Sequence, residues 1–277
     1  MNFLRPRRMI AVWLTVLIST GAAVAEELSI PGSGNPEYVL TQLATAFNQQ
    51  QSQHTVMVPP STGTAGALRA IEEGTASLAR VGRLLKDSER NQGIAYFALG
   101  RDAVVLVAGA GVTVRNMTSA QVVDVFSGKL TDWRELGGNP GPIRAIGRET
   151  TDASRQAITR LIKPFESMAY GESVKIVHLD PELITLLDRF PTSLGILNQS
   201  ALGACKTKVV HLALDGVEPT PENLEKELYP VWLEMGLIYQ PNALTPAGKA
   251  FLAFVRSPAG ERVLREYGIL PAILETD

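Results

Sequence analysis

Cysteine is almost absent: Cys205 stands alone among 277 residues. A single thiol forms no internal disulfide, and CxxC redox pairs and cysteine-rich metal clusters are excluded with it. Histidine is scarce as well, and His54, His178 and His211 show no ligand-like spacing, so neither a metal nor another cofactor is expected. There is no basic excess. Lys plus Arg number 26 against 28 Asp plus Glu, a formal charge of −2, which provides no field for gripping a polyanion and makes nucleic acid an unexpected partner. The chain also lacks an apolar run of the roughly 20 residues that span a bilayer.

What is present begins with Arg5, Arg7 and Arg8, an apolar stretch from Met9 to Ile18, and Ala23-Val24-Ala25 ahead of Glu26. This is the grammar of a secretory signal peptide over residues 1–25. No cysteine lies at the cleavage point to accept a lipid, so the expectation is a soluble exported protein, periplasmic in a cell with two membranes. Removing a leader that holds three arginines and no acid leaves 252 residues with 23 basic and 28 acidic side chains, a formal charge of −5.

Beyond the leader, strand-like and helix-like stretches alternate, which predicts an α/β fold. Leu28 to Ile30 reads as a strand, and Val39, Leu40, Leu43, Ala44 and Phe47 recur at helical spacing. His54 to Val58 reads as a second strand, with a loop at Ser61 to Gly66 and a helix from Ala67 to Glu73. Tyr96 to Leu99 and Val104 to Ala108 read as two buried strands. Thr118-x-x-Gln121 forms a capping-box pattern, and Thr245-Pro246 and Ser257-Pro258 each place a cap before a first-turn proline. Met57 and Met235 read as packing residues and Trp133 as a structural anchor. There is no repeat of fixed period and no long linker, so two lobes would be joined by short crossings near 103 and 208.

Three polar loops carry the candidate chemistry. Gly32-Ser33-Gly34-Asn35-Pro36 places glycines and small side chains before a helix, with Asn35 as its cap and Pro36 as its first residue. Ser61-Thr62-Gly63-Thr64-Ala65-Gly66 repeats the construction and lacks the Gly-Lys-Ser/Thr of a Walker loop. Arg148-Glu149-Thr150-Thr151-Asp152-Ala153-Ser154-Arg155 sets two arginines around hydroxyls, and guanidinium forks match tetrahedral oxyanions. Each loop alone also fits an ordinary capped turn, or a salt-bridged one for the third. Together they would gather at the carboxyl ends of strands, where open α/β sheets bind ligands.

In order, these features resemble the phosphate-binding proteins of ABC transporters, within the type 2 periplasmic binding proteins. The most specific piece is Phe126-Ser127-Gly128 through Trp133, similar to that family's Phe-x-Gly-x-x-x-x-Trp signature. Others are Gly74 through Arg83 to Glu89, Thr192 to Ile196, Tyr229-Pro230, and Phe251 to Gly268. The resemblance implies a two-lobed fold, each lobe a mixed sheet flanked by helices, with the ligand in the cleft between them. It implies lobes at 26–103 plus 208–277 and at 104–207, a monomer, phosphate or a similar oxyanion as ligand, and an inner-membrane ABC permease as partner. Carried over by position, Ser33, Gly34, Asn35, Thr62, Gly63, Thr64, Arg83, Arg148, Asp152, Ala153, Ser154 and Arg155 form the ligand site, with Arg148 as the main charge partner.

Two departures stand out. Asp152 and Ala153 replace the family's Ser-Gly, and Val81-Gly82 stand where many phosphate-specific members carry a carboxylate. A carboxylate accepts the proton of hydrogen phosphate and repels proton-free sulfate, so its absence leaves other oxyanions and phosphorylated groups open. Asp152 can supply that acceptor from the third loop or can cap the following helix. An exported phosphoesterase is the alternative of a different class. It would need a nucleophile poised by a base or a metal cluster, and the spacing shows neither. His178 and His211 read as strand or boundary residues and Cys205 as a small semi-buried one.

Overall fold

The computed structural model describes residues 25–51, 53–206 and 208–272. Apart from Ala25, the expected leader lies outside them. In chain order the first elements are β1 (Glu26–Ser29), α1 (Glu37–Gln50), β2 (His54–Met57), α2 (Gly63–Glu72), β3 (Ala79–Val81), α3 (Asp87–Arg90) and β4 (Ala95–Ala108). Then come β5 (Asn116–Met117), α4 (Ser119–Phe126), β6 (Arg144–Arg148), α5 (Ala153–Leu161), α6 (Pro164–Ser167), β7 (Lys175–Val177), α7 (Asp180–Arg189) and β8 (Ser193–Asn198). The last are β9 (Val210–Leu214), α8 (Pro221–Glu225), β10 (Trp232–Tyr239), α9 (Pro246–Val255), α10 (Pro258–Glu266) and β11 (Ile269–Pro271).

Strands β1 and β2 pair in parallel, while the larger sheet runs β3-β10-β4-β8-β6-β7, with β11 and β9 also on β4. The result is a two-lobed mixed α/β fold whose layers share one long strand. Residues Ala95–Ala103 of β4 pair with β10, and Val104–Ala108 pair with β8. The partners change between Ala103 and Val104.

The sequence predicts two strands, 96–99 and 104–108, and the structure joins them through Gly100-Arg101-Asp102. The glycine admits β11: a Cβ on Gly100, at φ +147°, would stand 2.2 Å from the Leu270 carbonyl oxygen. Only glycine tolerates both that angle and that approach.

The apolar stripe of α1 is buried at Val39, Leu40, Leu43, Ala44 and Phe47, and Phe47 meets Phe251 and Phe254 edge to face, with centroids 5.5 Å apart. Phe126, Phe165 and Tyr170 form the matching cluster in the other lobe. Trp133 is buried, and its indole N–H donates to the Thr192 carbonyl at 3.0 Å. The Thr118 capping box and the Thr245 and Ser257 caps form as their patterns predict. Three local expectations change. Helix α2 starts at Gly63, inside the predicted loop. Pro36, not Asn35, occupies the cap of α1, because the Asn35 amide is engaged elsewhere. Met57 is exposed, since β2 alternates and turns it outward.

Candidate functional site

The three loops converge on one cleft of about 870 Å³. Ser33, Gly34, Asn35, Thr62, Gly63, Thr64, Arg83, Arg148, Asp152 and Ala153 line it. Ser154 and Arg155 are buried beside it. Helices α2 and α5 both begin here, and the N–H groups of a helix's first turn have no intrahelical acceptor, so the cleft wall presents backbone donors.

Buried Arg80 ties the first two loops together. It donates from Nε to the Ser33 carbonyl at 2.8 Å, from Nη2 to the Pro59 carbonyl at 2.7 Å and to Glu37 at 2.9 Å, and from Nη1 to the Ile30 carbonyl. Burial pulls this guanidinium below the usual arginine range, with Glu37 opposing. Its donors are spent inside the protein, so Arg80 shapes the loops without offering charge to the cleft.

Arg148, at the end of β6, is the buried cation of the opposite wall. It bridges two carboxylates, from Nη1 to Asp180 Oδ1 at 2.5 Å and from Nη2 to Asp152 Oδ2 at 2.6 Å. Burial works against its charge, but Asp180 and Asp152 outweigh it and hold the group above the ordinary arginine value. Arg155 buttresses Arg148: its Nη1 donates to the Arg148 carbonyl at 2.9 Å and its guanidinium lies 4.4 Å from the Tyr170 ring centroid. Tyr170 donates to the same carbonyl at 3.0 Å. Arg83 is held by Glu89 in a two-pronged pair of 2.8 and 2.7 Å.

Asp152 caps α5, its Oδ1 accepting the Arg155 N–H at 2.9 Å while Oδ2 accepts from Arg148. Both oxygens are therefore engaged. Asp180, which the sequence does not single out, opens α7 and lines the cleft. It is 6% exposed, and its Oδ2 has no hydrogen-bond partner among the described residues, nor has Arg148 Nε. A Cβ placed on Gly34 would lie 3.5 Å from that oxygen, so Asp180 faces the first loop across the cleft. Burial raises its pKa, Arg148 opposes, and Asp152 and Glu37 push the same way as burial. The only trace in sequence is the Asp180-Pro181 helix start, a common capping pattern without a functional signature.

Asn35 is fully engaged: its Nδ2 donates to Ser154 Oγ and Asn198 Oδ1, each at 3.2 Å, and its Oδ1 accepts from Ser33 at 3.3 Å. The amide expected to face an anion is thus a strut between loops. At the cleft rim His178 pairs with Glu149 at 2.5 Å, both well exposed. Among the described residues no three His, Cys, Asp or Glu side chains cluster as a metal site, and no helix is long and apolar enough to cross a membrane.

Two α/β lobes around a polar cleft, with helix starts and one buried arginine on its walls, define a solute-binding class of fold. The chain belongs to the PBP superfamily, whose domain model matches residues 18–259. Among its relatives, the phosphate-binding protein PstS of Borreliella burgdorferi is 20% identical over 252 residues, 88% of this chain and 89% of that protein. PstS of Bacillus subtilis is 23% identical over 254 residues, 88% and 80% of the two chains. A crystal structure from Clostridium perfringens, provisionally assigned as a phosphate ABC transporter substrate-binding protein and carrying bound phosphate, superposes with a TM-score of 0.77. It is 25% identical and covers 89% of this chain and all of that one.

Proposed function

We propose that the protein captures phosphate in a protonated form, in the cleft between its lobes, and delivers it to an ABC permease. One observation carries the reading: a buried donor and a buried acceptor, Arg148 Nε and Asp180 Oδ2, stand unpartnered on the same cleft wall. Buried polar groups without partners cost about 1–3 kcal/mol each, so such a pair marks a site completed by a ligand. Arg148 with Asp152 and Asp180 carries a formal charge of −1, which repels a bare dianion. An oxyanion that brings its own proton donates it to Asp180 while accepting from Arg148 and from the starts of α2 and α5. Hydrogen phosphate meets that requirement and sulfate does not.

The names of the relatives support the ligand and the transport role. In this reading Ser33, Gly34, Thr62, Gly63, Thr64 and Arg83 supply the lobe 1 wall, and Ala153 and Ser154 join Arg148 on lobe 2. The lobes divide where β4 changes partners, with the return crossing near 208. The protein is exported as a monomer after cleavage behind Ala25, and it binds without hydrolysing esters. Calorimetric titration of ligand-stripped protein tests this: phosphate should bind and sulfate should not. Equal binding of the two ions, or uptake of neither, would overturn it.

A further inference from the structure

Behind the cleft lies a polar cluster that the phosphate reading does not use. Asp102, fully buried on β4 where the strand passes between lobes, accepts at Oδ2 from Asn198 Nδ2 at 2.8 Å and from the Ser200 hydroxyl at 2.6 Å. Its Oδ1 accepts the Ser200 N–H at 3.2 Å. Asn198 ends β8. Its Nδ2 also reaches the Asn35 carbonyl at 3.1 Å.

We propose that Asp102 and Asn198 are positioning residues of the anion site, fixing through Asn35 the direction in which the Ser154 hydroxyl donates. Asp102 Oδ2 and the Asn35 main-chain carbonyl both call for the Asn198 NH₂, which leaves Asn198 Oδ1 facing the Asn35 side chain. Asn35 must answer with its own NH₂, at 3.2 Å. The other hydrogen of that NH₂ goes to Ser154 Oγ, also at 3.2 Å, so Ser154 accepts on this side. Its own proton has no acceptor among the described residues and stays available. Ser154 is fully buried between cleft-lining Ala153 and the Arg148 buttress, Arg155, where an oxyanion is the fitting acceptor. With the relay reversed, Asn35 would present Oδ1 to Ser154 and consume that proton.

The proposal rests on the phosphate reading for the ligand alone, and calorimetric titration with inorganic phosphate separates the two. Ser154→Ala and Asp102→Ala should each weaken binding by about 10- to 100-fold, the value of one hydrogen bond to a charged group. The double variant should be no weaker than either single one by more than about threefold, because both remove the same donor. Asp102→Asn still offers an oxygen to Asn198 and should stay within about threefold of wild type, a rescue that a simple loss of charge would not give. Additive losses, wild-type affinity in Asp102→Ala, or an Asp102→Asn as weak as Asp102→Ala would each overturn the relay. If Asp102→Ala fails to fold by circular dichroism, Asn198→Leu removes the middle link and carries the same expectation. Wild-type protein that takes up no phosphate overturns the parent reading instead. The relay is then judged on ligand-free protein: Asp102→Ala and Asn35→Ala stay coupled in unfolding if the amides are locked, and add if they are not.

Discussion

Asp180→Asn tests the selectivity of the cleft most directly. The substitution keeps the size of the side chain, yet it can turn an N–H toward the point where Asp180 Oδ2 now stands unpartnered. Hydrogen phosphate then loses the acceptor for its proton. A hydrogen bond to a charged group contributes about 1.5–3 kcal/mol, and each 1.4 kcal/mol is tenfold in affinity, so phosphate should weaken by about 10- to 100-fold. Sulfate should move the other way, because the variant leaves one countercharge on Arg148 instead of two and offers a donor in place of a repelling oxygen. Competitive titration of ligand-stripped protein with both ions reads the ratio. A second signature separates this account from general damage. Any sulfate that wild type does bind must wait for a proton on Asp180, whose pKa is raised by burial. Its affinity should therefore strengthen by up to about tenfold for each unit of falling pH above that pKa, and Asp180→Asn should abolish the slope. An unchanged phosphate-to-sulfate ratio in the variant would refute the reasoning, and a surviving slope would assign the proton elsewhere.

Three further outcomes follow from the same geometry. Arg148→Ala strands Asp152 and Asp180 without their shared cation; binding should be lost and stability should fall by about 3–5 kcal/mol, read by titration and denaturant unfolding. Gly82→Ala would set a Cβ 2.8 Å from Asn35 Oδ1 and 3.0 Å from Ser33 Oγ; displacement of the first loop should cost about 1–3 kcal/mol in the same unfolding assay and weaken phosphate. Asp102 supplies a pH test, because burial pushes its carboxyl up to about 7 from 3.8. Between those values the folded state holds a proton that the unfolded state releases, so stability is greatest below the lower value and falls as pH rises to the upper one. The shift corresponds to at most about 4 kcal/mol. Urea unfolding across that window should show the decline, and Asp102→Asn should flatten it.

The parts legible in sequence are those set by local patterns. The α1 stripe, the Thr118 box and the proline-preceded caps at Thr245 and Ser257 follow from spacing and local hydrogen bonds, and they form as such. The three loops are legible as a group because each precedes a helix. What escapes is long-range. Gly100-Arg101-Asp102 falls outside both predicted strands and lies inside a 14-residue strand, because the reason for the glycine is β11, over 150 residues away. Asp102 meets Asn198 and Ser200 across 96 and 98 residues. Arg80 sits in a short apolar strand, and its four acceptors come from distant turns and Glu37. Asp180 is 32 residues from the arginine that gives it meaning. Local pattern shows where helices begin and not which carboxylate faces which cation.

The carboxylate missing from the 82 region has a steric explanation, and that explanation bears on how the lobes divide their work. Asn35 and Ser33 fill the space that a side chain at 82 would need, so a bulky first-loop amide and a glycine at 82 belong together. A carboxylate at position 82 is thereby excluded. Asp180 occupies the facing wall instead, on the same lobe as Arg148. Under the proposed reading, charge recognition and proton recognition would sit together beside Arg148, while the first two loops would add hydroxyls and helix-start N–H groups that suit any oxyanion. Under the proposed phosphate reading, discrimination between phosphate and sulfate would rest on residues 148 to 180. The acidic surface reinforces this division: with a formal charge of −5 outside the leader, attraction for an anion is confined to the cleft, where a single proton decides which anion is held.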